Sequence, residues 1–208
     1  MAIGAGLLLL SEDNATLDKR ASQLVAVATE QGFPRWHAQG TICRGWVKVR
    51  NGDVVEGISL LRSGSKAYRA TGSLSWMPHY SALLARACEI AGQVEEGSNL
   101  LDDGLEIAER TGEYFLEAEL NRHKGQLLLR QGHPKAAEEL YRKAMTIAEE
   151  QRAKLWELRA ATSLAWLCRD QGRRAEARDL LAPVYGWFTE GFGTPDLREA
   201  KALLDEFA

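Results

Sequence analysis

Hydrophobic side chains recur every three or four positions along most of the chain, with polar residues between them. Typical stretches are LLRSGSKAYRA at 60–70, AEELYRKAMTIAEE at 137–150 and LRAATSLAWLC at 158–168. This period places apolar residues on one face of an α-helix, and residues that favour helices dominate these stretches. No segment alternates strictly between apolar and polar residues, so the pattern predicts an all-α protein.

Glycines divide this helical pattern at regular intervals. Glycine is favoured just beyond the C-terminus of a helix because it adopts left-handed backbone angles without steric cost. The spacing therefore predicts helices of about 15 to 17 residues joined by short turns, with two helices in each repeat. One series returns every 40 residues and a second falls midway between its members: Gly52, Gly92, Gly132 and Gly172, then Gly32, Gly72, Gly112 and, at the last place, Arg152.

Three further columns of similar residues recur at the same interval. Small side chains at fixed places on both helices let two backbones approach closely, and leucines fill the space between successive pairs. Stacked pairs of this kind bury a continuous core, which predicts a solenoid of helical hairpins. The columns are Leu60, Leu100, Leu140 and Leu180, then Gly57, Gly97, Ala137 and Ala177, then Gly45, Ala85, Gly125 and Ala165.

The spacing of these columns resembles the tetratricopeptide motif. Each repeat has a small residue, a second small residue twelve positions later, a large apolar residue four later and another, mostly small, three after that, as in Gly45, Gly57, Leu61 and Gly64. The resemblance implies a right-handed α–α superhelix. The chain departs from the motif in its 40-residue rather than 34-residue period and in lacking Trp, Tyr and Pro at their expected columns. The longer period implies longer helices and a different curvature.

We expect one tetratricopeptide-like solenoid domain over residues 1–208. Residues 15–31 fit the second helix of a pair, with Asn14 or Thr16 as its N-cap. Ala5 and Leu7 to Leu10 fit the end of a preceding first helix, so that Met1 falls inside a repeat and the chain is expected to be a piece of a longer array. The predicted parts are a partial repeat at 1–32, four helix pairs at 33–72, 73–112, 113–152 and 153–192, and a capping helix at 194–208 that starts at Thr194-Pro195-Asp196.

Particular strings carry a second resemblance. The segments EQGFPRWHAQGTICRGW at 30–46, ELRAATSLAWL at 157–167 and RAEARDLLAPVYGWFTEGFGTPDLREAKALLDEF at 174–207 resemble the C-terminal arm of bacterial signalling ATPases with an adenylate/guanylate-cyclase-like domain. The long repeat also resembles the sensor arms of maltose-activator-type regulators. These resemblances imply an interaction or sensory arm and carry over no catalytic residue.

Composition excludes several classes of function. The net charge of −3, from 26 basic and 29 acidic residues, gives no broad positive field for nucleic acid. No stretch approaches the roughly 18 apolar residues that span a bilayer, and the short N-terminal apolar run has no preceding basic residue. The three cysteines, Cys43, Cys88 and Cys168, lie far apart, which suits a reducing compartment. We therefore expect a cytoplasmic protein that binds neither nucleic acid nor membranes.

Catalytic and metal-binding motifs are absent from the sequence. It contains no GxGxxG, GxxxxGK[ST], GxSxG or HExxH motif, and its four histidines have no metal-like spacing. Cys88 and Cys168 share a column that is normally buried, which favours inert core thiols. Trp36, Trp76 and Trp156 share another, which favours a packing role. We therefore expect no enzymatic activity, no cofactor and no metal.

By analogy with tetratricopeptide arrays, the first helix of each pair lines the concave surface. Its arginines suit the carboxylates of an acidic peptide, and its tryptophans supply flat anchoring area. The alternative is that the arginines form ordinary exposed ion pairs with Glu89, Glu119 and Asp170. The predicted partner-binding residues are Gln39, Trp46, Arg50, His79, Arg86, Arg122, Gln126, Arg130, Arg159, Trp166 and Arg169.

The sequence thus predicts a non-catalytic protein–protein interaction module that binds peptides or domains, as the C-terminal regulatory arm of a bacterial signalling protein. A small-molecule effector-sensing domain is a second hypothesis. Self-association is a third, because an array that starts inside a repeat exposes an apolar end that could pair with a second copy in a homodimer.

Overall fold

The computed structural model describes residues 13–207, which form α-helices joined by short turns and contain no strand. A short 3-10 helix spans Tyr114–Leu116. The all-α prediction is therefore confirmed for this part of the chain. The helices are α1 (Asn14–Glu30), α2 (Pro34–Arg50), α3 (Val54–Ala70), α4 (Met77–Ile90), α5 (Val94–Thr111), α6 (Glu117–Arg130), α7 (Pro134–Glu150), α8 (Lys154–Asp170), α9 (Arg174–Gly186) and α10 (Pro195–Asp205).

The helices fall into the predicted pairs. The first helices of the pairs are α2, α4, α6 and α8, and the second helices are α1, α3, α5, α7 and α9. The chain forms two compact units, an N-terminal unit at Met1–Glu113 and a C-terminal unit at Tyr114–Ala208. One continuous domain with the predicted repeat boundaries stays a prediction. The predicted remnant of an earlier helix, with Ala5 and Leu7 to Leu10, lies outside the described residues.

Left-handed residues end the helices where the glycine series predicted them. Seven of the described glycines in that series have φ between +67° and +91°. Arg152 takes the eighth place with φ +54°, although a side chain makes this conformation costly. The turns therefore follow the predicted 20-residue spacing even where the glycine itself is replaced.

The N-caps at the two ends of the described chain differ from the prediction. Asp13, rather than Asn14 or Thr16, caps α1, because its carboxylate accepts a hydrogen bond from the Thr16 N–H at 2.9 Å. Helix α10 begins at Pro195 after Thr194, as predicted. The Thr194 hydroxyl donates to the Gly191 carbonyl oxygen at 2.8 Å instead of capping the helix.

Small residues let the paired backbones of the N-terminal unit touch. A Cβ added to Gly45 would lie 2.8 Å from the Leu61 backbone nitrogen, and one added to Gly57 would lie 2.8 Å from the Gly45 carbonyl oxygen. No real side chain tolerates such distances. The two small-residue columns thus mark a close crossing of α2 and α3.

The leucine column is half-buried, and Leu100 and Leu180 pack against the core clusters of their units. The next residue along the chain is the buried one, since Leu61, Leu101 and Leu181 are fully buried and Tyr141 is nearly so. A shift of one residue turns a side chain by about 100° around a helix. The core is therefore formed by the large apolar residue of each motif, which follows the leucine of the column by one position.

The cysteines are all buried and reduced. Burial raises the pKa of the Cys43 thiol to about 12 and that of Cys88 to about 11. A thiol with a raised pKa is a poor nucleophile at neutral pH. The interpretation as inert core thiols is consistent with both observations.

Candidate functional site

The eleven predicted partner-binding residues all lie on first helices, five in the N-terminal unit and six in the C-terminal unit. Their exposure differs widely. Gln39, Trp46 and His79 are buried, and Arg86 and Arg130 are exposed. The half-buried members are Arg50, Arg122, Gln126, Arg159, Trp166 and Arg169.

Buried polar groups distinguish the first helices from the second. Among residues 13–207, every buried polar or charged side chain other than the tyrosines Tyr68 and Tyr141 belongs to a first helix. A buried polar group costs free energy unless it has a hydrogen-bonding partner, so these helices form the chemically distinctive part of each hairpin. The buried polar residues are Gln39, His79, Ser81, Glu89, Glu119, Asn121, His123, Glu157 and Thr162.

Glu119 is the centre of a charged network in the C-terminal unit. Its carboxylate accepts two hydrogen bonds from Arg122, from Nε at 2.8 Å and from Nη2 at 2.9 Å. Arg159 Nη1 donates to it from α8 at 3.3 Å, and His123 Nε2 lies 3.2 Å away. The network thus joins two successive first helices through a single carboxylate.

Arg159 extends this network to α10. Its Nε and Nη2 donate to the two carboxylate oxygens of Asp196 at 2.7 and 3.0 Å. Such a bidentate pair is short and geometrically specific. Arg159 therefore bridges Glu119 on one side and Asp196 on the other.

Neighbouring charges fix the ionisation of the network. Burial alone would raise the pKa of the Glu119 carboxyl, but Arg122 and His123 hold that pKa well below its ordinary value of 4.5. Burial alone would lower the pKa of Arg159, but Asp196 and Glu119 keep it above its usual range. The carboxylate and both guanidinium groups are thus charged at neutral pH.

Two more predicted partner-binding residues also contact the C-terminal segment. The Trp166 Nε1–H donates to Glu199 Oε1 at 3.0 Å. Arg169 stacks over the Trp166 ring at 3.9 Å and donates to Glu206 at 3.1 Å. The same face of α8 thus holds three side chains engaged with carboxylates of residues 196–206.

The N-terminal unit joins its first helices differently. The Arg86 guanidinium of α4 lies 5.4 Å from the centre of the Trp46 ring of α2. This is the geometry of a cation–π contact. Trp46 is only 4% exposed, whereas Arg86 reaches solvent.

The structure matches part of the ion-pair alternative. Arg122 pairs with Glu119, and Arg169 pairs with Asp170 at 2.7 Å, as that alternative expected, but the Arg122–Glu119 pair is largely buried rather than exposed. Sequence reasoning missed Asp196, Glu199 and Glu206. The sequence did contain a signal. Glu199 lies 40 residues after Arg159, and Glu206 lies 40 residues after Trp166, which is the same spacing that separates successive first helices.

Two further features of residues 13–207 bear on function. No group of three or more His, Cys, Asp or Glu side chains in this part of the chain could hold a metal ion. None of its helices combines the length and apolar character needed to cross a bilayer.

Comparison with known proteins identifies the repeats. A tetratricopeptide repeat model matches residues 78–150, and a second tetratricopeptide repeat model matches residues 158–183. An uncharacterized protein of Rhizobium meliloti (strain 1021) is 25% identical over 154 residues, which cover 74% of this chain and 15% of that protein. The chain therefore spans only a small part of the length of this relative.

Solved structures share the fold at low identity. BtubC (BKLC) from P. vanneervenii has a TM-score of 0.72 at 14% identity, covering 95% of this chain and 90% of that one. The apo form of RapI gives 0.68 at 12% identity over 92% and 54% of the two chains. Nearly identical TPR-like repeats of a Podosopora anserina protein give 0.63 at 20% identity over 88% and 90%. These likenesses show the fold, and the two tetratricopeptide repeat models assign residues 78–150 and 158–183 to that repeat.

Proposed function

We propose that the chain is a non-catalytic protein-interaction scaffold whose first helices bind a peptide or domain of another protein. The observation that carries this proposal is that, among residues 13–207 and apart from two tyrosines, buried polar and charged side chains lie on the first helices. The second helices instead bury apolar residues and place their ion pairs, such as Arg62–Glu96 and Arg142–Glu176, in solvent.

The first-helix side chains are also positioned before any partner arrives. Arg122 is fixed by two hydrogen bonds to Glu119, and its Nη1 also donates to the side-chain oxygens of Gln126 and Ser163, both at 3.3 Å. Side chains already held in one conformation lose little entropy on binding. This arrangement supports recognition of hydrogen-bonding groups by the first-helix face.

The exposed members of the predicted set, Arg86 and Arg130, provide the sharpest test. We would attach the chain to a resin, recover proteins from extracts of the source cells and quantify them by mass spectrometry. Arg86→Glu and Arg130→Glu should each lower recovery of specific partners about tenfold, corresponding to a loss of about 1.4 kcal/mol.

Matched controls reverse the same charge on second helices. Lys66 of α3 and Lys143 of α7 are both exposed, so Lys66→Glu and Lys143→Glu should leave recovery unchanged. Equal recovery with all four variants would remove the first-helix face from the proposal. Arg122 and Arg159 are unsuitable for this test because charge reversal there disrupts the Glu119 network.

At a finer level, we propose that the chain is the C-terminal regulatory arm of a bacterial signalling protein. The sequence strings that resemble such arms support this assignment. The Rhizobium meliloti relative supports it further, because the matched segment is a small part of that much longer protein. A gene whose reading frame joins these repeats to a nucleotide-binding or cyclase-like domain would support it, and one that encodes the repeats alone would contradict it.

A further inference from the structure

The C-terminal segment places acidic side chains on three of the residues predicted to contact a partner. Asp196 binds Arg159, Glu199 accepts from Trp166 and Glu206 accepts from Arg169. Arg174 also donates to the Glu206 carbonyl oxygen. The predicted ligand was an acidic peptide whose carboxylates bind arginines beside a flat indole. Residues 196–206 of the chain itself already supply such carboxylates.

Helix α10 is amphipathic in the way that such an occupant requires. Leu197, Ala200 and Leu203 are buried against the C-terminal unit, with exposed fractions of 4%, 0% and 0%. Arg198 and Lys201 are exposed. The acidic contacts flank the apolar stripe, so the surface beneath α10 fits an amphipathic helix with carboxylates along its margin.

The attachment of α10 favours its release. It has 11 residues, fewer than a helix needs to be stable in isolation. Residues 187–194 connect it to α9 and include Gly191, with φ +76°, and Gly193, around which a Cβ would meet open space. Short elements attached through such a connection open locally, without unfolding of the whole unit.

We infer that α10 is an intramolecular occupant of a binding surface on α8, and that this surface takes an acidic amphipathic helix from a partner protein when α10 leaves. The inference rests on the proposed function and names the class of partner. It assigns Arg159, Trp166 and Arg169 of α8 as the residues that bind either α10 or the partner helix. A partner helix must supply carboxylates to both arginines and an acceptor to the Trp166 N–H.

A peptide exchange experiment tests this inference on the full chain. The probe is a fluorescent peptide with the sequence of residues 194–207, and binding is measured by anisotropy. The variant Asp196→Lys/Glu199→Lys weakens α10 docking and leaves α8 unchanged, so it should bind the peptide at least about tenfold more tightly than the natural chain does. A peptide carrying the same two changes should not bind.

The control variant Arg198→Glu/Lys201→Glu reverses two charges on the exposed side of α10. It should bind the peptide as weakly as the natural chain. Adding Trp166→Ala to the Asp196→Lys/Glu199→Lys variant should remove peptide binding, because the indole N–H and the stacking surface are then lost. Circular dichroism establishes that no variant loses more helix than the 11 residues of α10 account for.

Two results would overturn the inference. One is failure of the folded Asp196→Lys/Glu199→Lys variant to bind the peptide. The other is amide hydrogen exchange in the natural chain that is as slow in α10 as in α8, since α10 then never leaves alone. Either result is compatible with normal partner recovery through Arg86 and Arg130, so it would not contradict the broader proposal.

A second copy of the chain is the competing occupant. Light scattering over a dilution series should show a monomer at the concentrations of the peptide assay. A dimer that dissociates in the presence of the peptide would assign the surface to exchange of α10 between copies and would overturn the role of a partner protein.

Discussion

The two units hold their first helices together with different chemistry. In the N-terminal unit, Arg86 stacks on the buried Trp46 ring. In the C-terminal unit, Glu119 accepts bonds from Arg122 and Arg159, and Arg159 continues to Asp196. The N-terminal unit thus uses one cation beside an aromatic ring, whereas the C-terminal unit uses a network of alternating positive and negative side chains.

This difference shows what the repeat specifies and what it leaves open. The small residues and left-handed turns recur in both units and set the helix pairing. The positions where first helices meet are free to carry either an aromatic stack or a charged network. A buried carboxylate makes stability depend on pH and on every partner of that carboxylate, so the two units should respond differently to mutation and to acid.

Removal of the Glu119 carboxylate should have the largest effect. Glu119→Ala leaves the Arg122 and Arg159 guanidinium groups close together without the negative charge between them. Loss of one member of a buried ion pair costs about 3 kcal/mol or more. Denaturant unfolding should show this loss, and hydrogen exchange should locate it in α6 and α8.

The control for this prediction is Glu139→Ala, which removes an exposed carboxylate of α7. Its expected effect is within about 0.5 kcal/mol. Similar losses for Glu119→Ala and Glu139→Ala would mean that the network contributes nothing specific, and the contrast between the units would disappear.

Substitution at the close crossing of the N-terminal unit should have the next largest effect. Gly57→Ala places a methyl group 2.8 Å from the Gly45 carbonyl oxygen and 2.5 Å from Val49 Cγ2. Overpacking of this kind costs about 2 kcal/mol, against a gain of up to about 1 kcal/mol from replacing a helical glycine. Denaturant unfolding should therefore show a net loss.

The C-terminal unit has alanine at the corresponding place. Ala137→Gly creates no clash and should cost about 1 kcal/mol, from the lower helix propensity of glycine and a lost methyl group. A gain in stability for Gly57→Ala would show that the crossing of α2 and α3 can widen freely.

Acid should destabilise the C-terminal unit before the N-terminal unit. The pKa of Glu119 in the folded chain lies well below its ordinary value of 4.5. A lowered folded pKa stabilises the fold above the unfolded pKa, and that stabilisation is lost as the pH falls from about 4.5 through the folded value. Hydrogen exchange in α6 and α8 should accelerate over this range more than in α2 and α4.

The variant Glu119→Gln separates this effect from general acid unfolding. It removes the titrating group, so exchange in α6 and α8 should lose its extra dependence on pH below 4.5. Persistence of the same dependence in Glu119→Gln would assign the acid sensitivity to other carboxylates.

The frame of the fold was predictable from sequence because it depends on residues with restricted roles. Glycine at a left-handed turn and a small residue at a backbone crossing recur at a fixed interval in the sequence. Gly45 and Gly57 lie at positions that this interval predicted. The leucine column lies at the edge of the core, since Leu60 is half-buried while Leu61, at the motif's large apolar position, is fully buried.

The candidate site was predictable only in part. The position of the arginines on first helices followed from the repeat, whereas the partners of Arg159 lie 37 and 40 residues away. A sequence pattern does not distinguish Arg159 binding an external peptide from Arg159 binding Asp196, because both use the same bidentate geometry. Only the packing of α10 on α8 revealed the second arrangement.

The aromatic contact of the N-terminal unit should contribute less than the charged network. Arg86→Ala removes the cation stacked on Trp46 and should cost about 0.5 to 1 kcal/mol. Arg86→Lys keeps the charge and should recover part of this loss. Denaturant unfolding measures both variants, and a loss as large as that of Glu119→Ala would remove the energetic contrast between the units.

The turn at Arg152 should give the smallest effect, with the opposite sign. Its φ of +54° is one that a side chain makes costly by about 1 kcal/mol. Arg152→Gly relieves that cost but adds freedom to the unfolded chain, which offsets about 0.5 kcal/mol of the gain. A net stabilisation of about 0.5 kcal/mol is expected in denaturant unfolding, whereas Gly112→Ala at the equivalent turn of the N-terminal unit should destabilise. A loss for Arg152→Gly would mean that the arginine side chain stabilises the turn by more than its backbone costs.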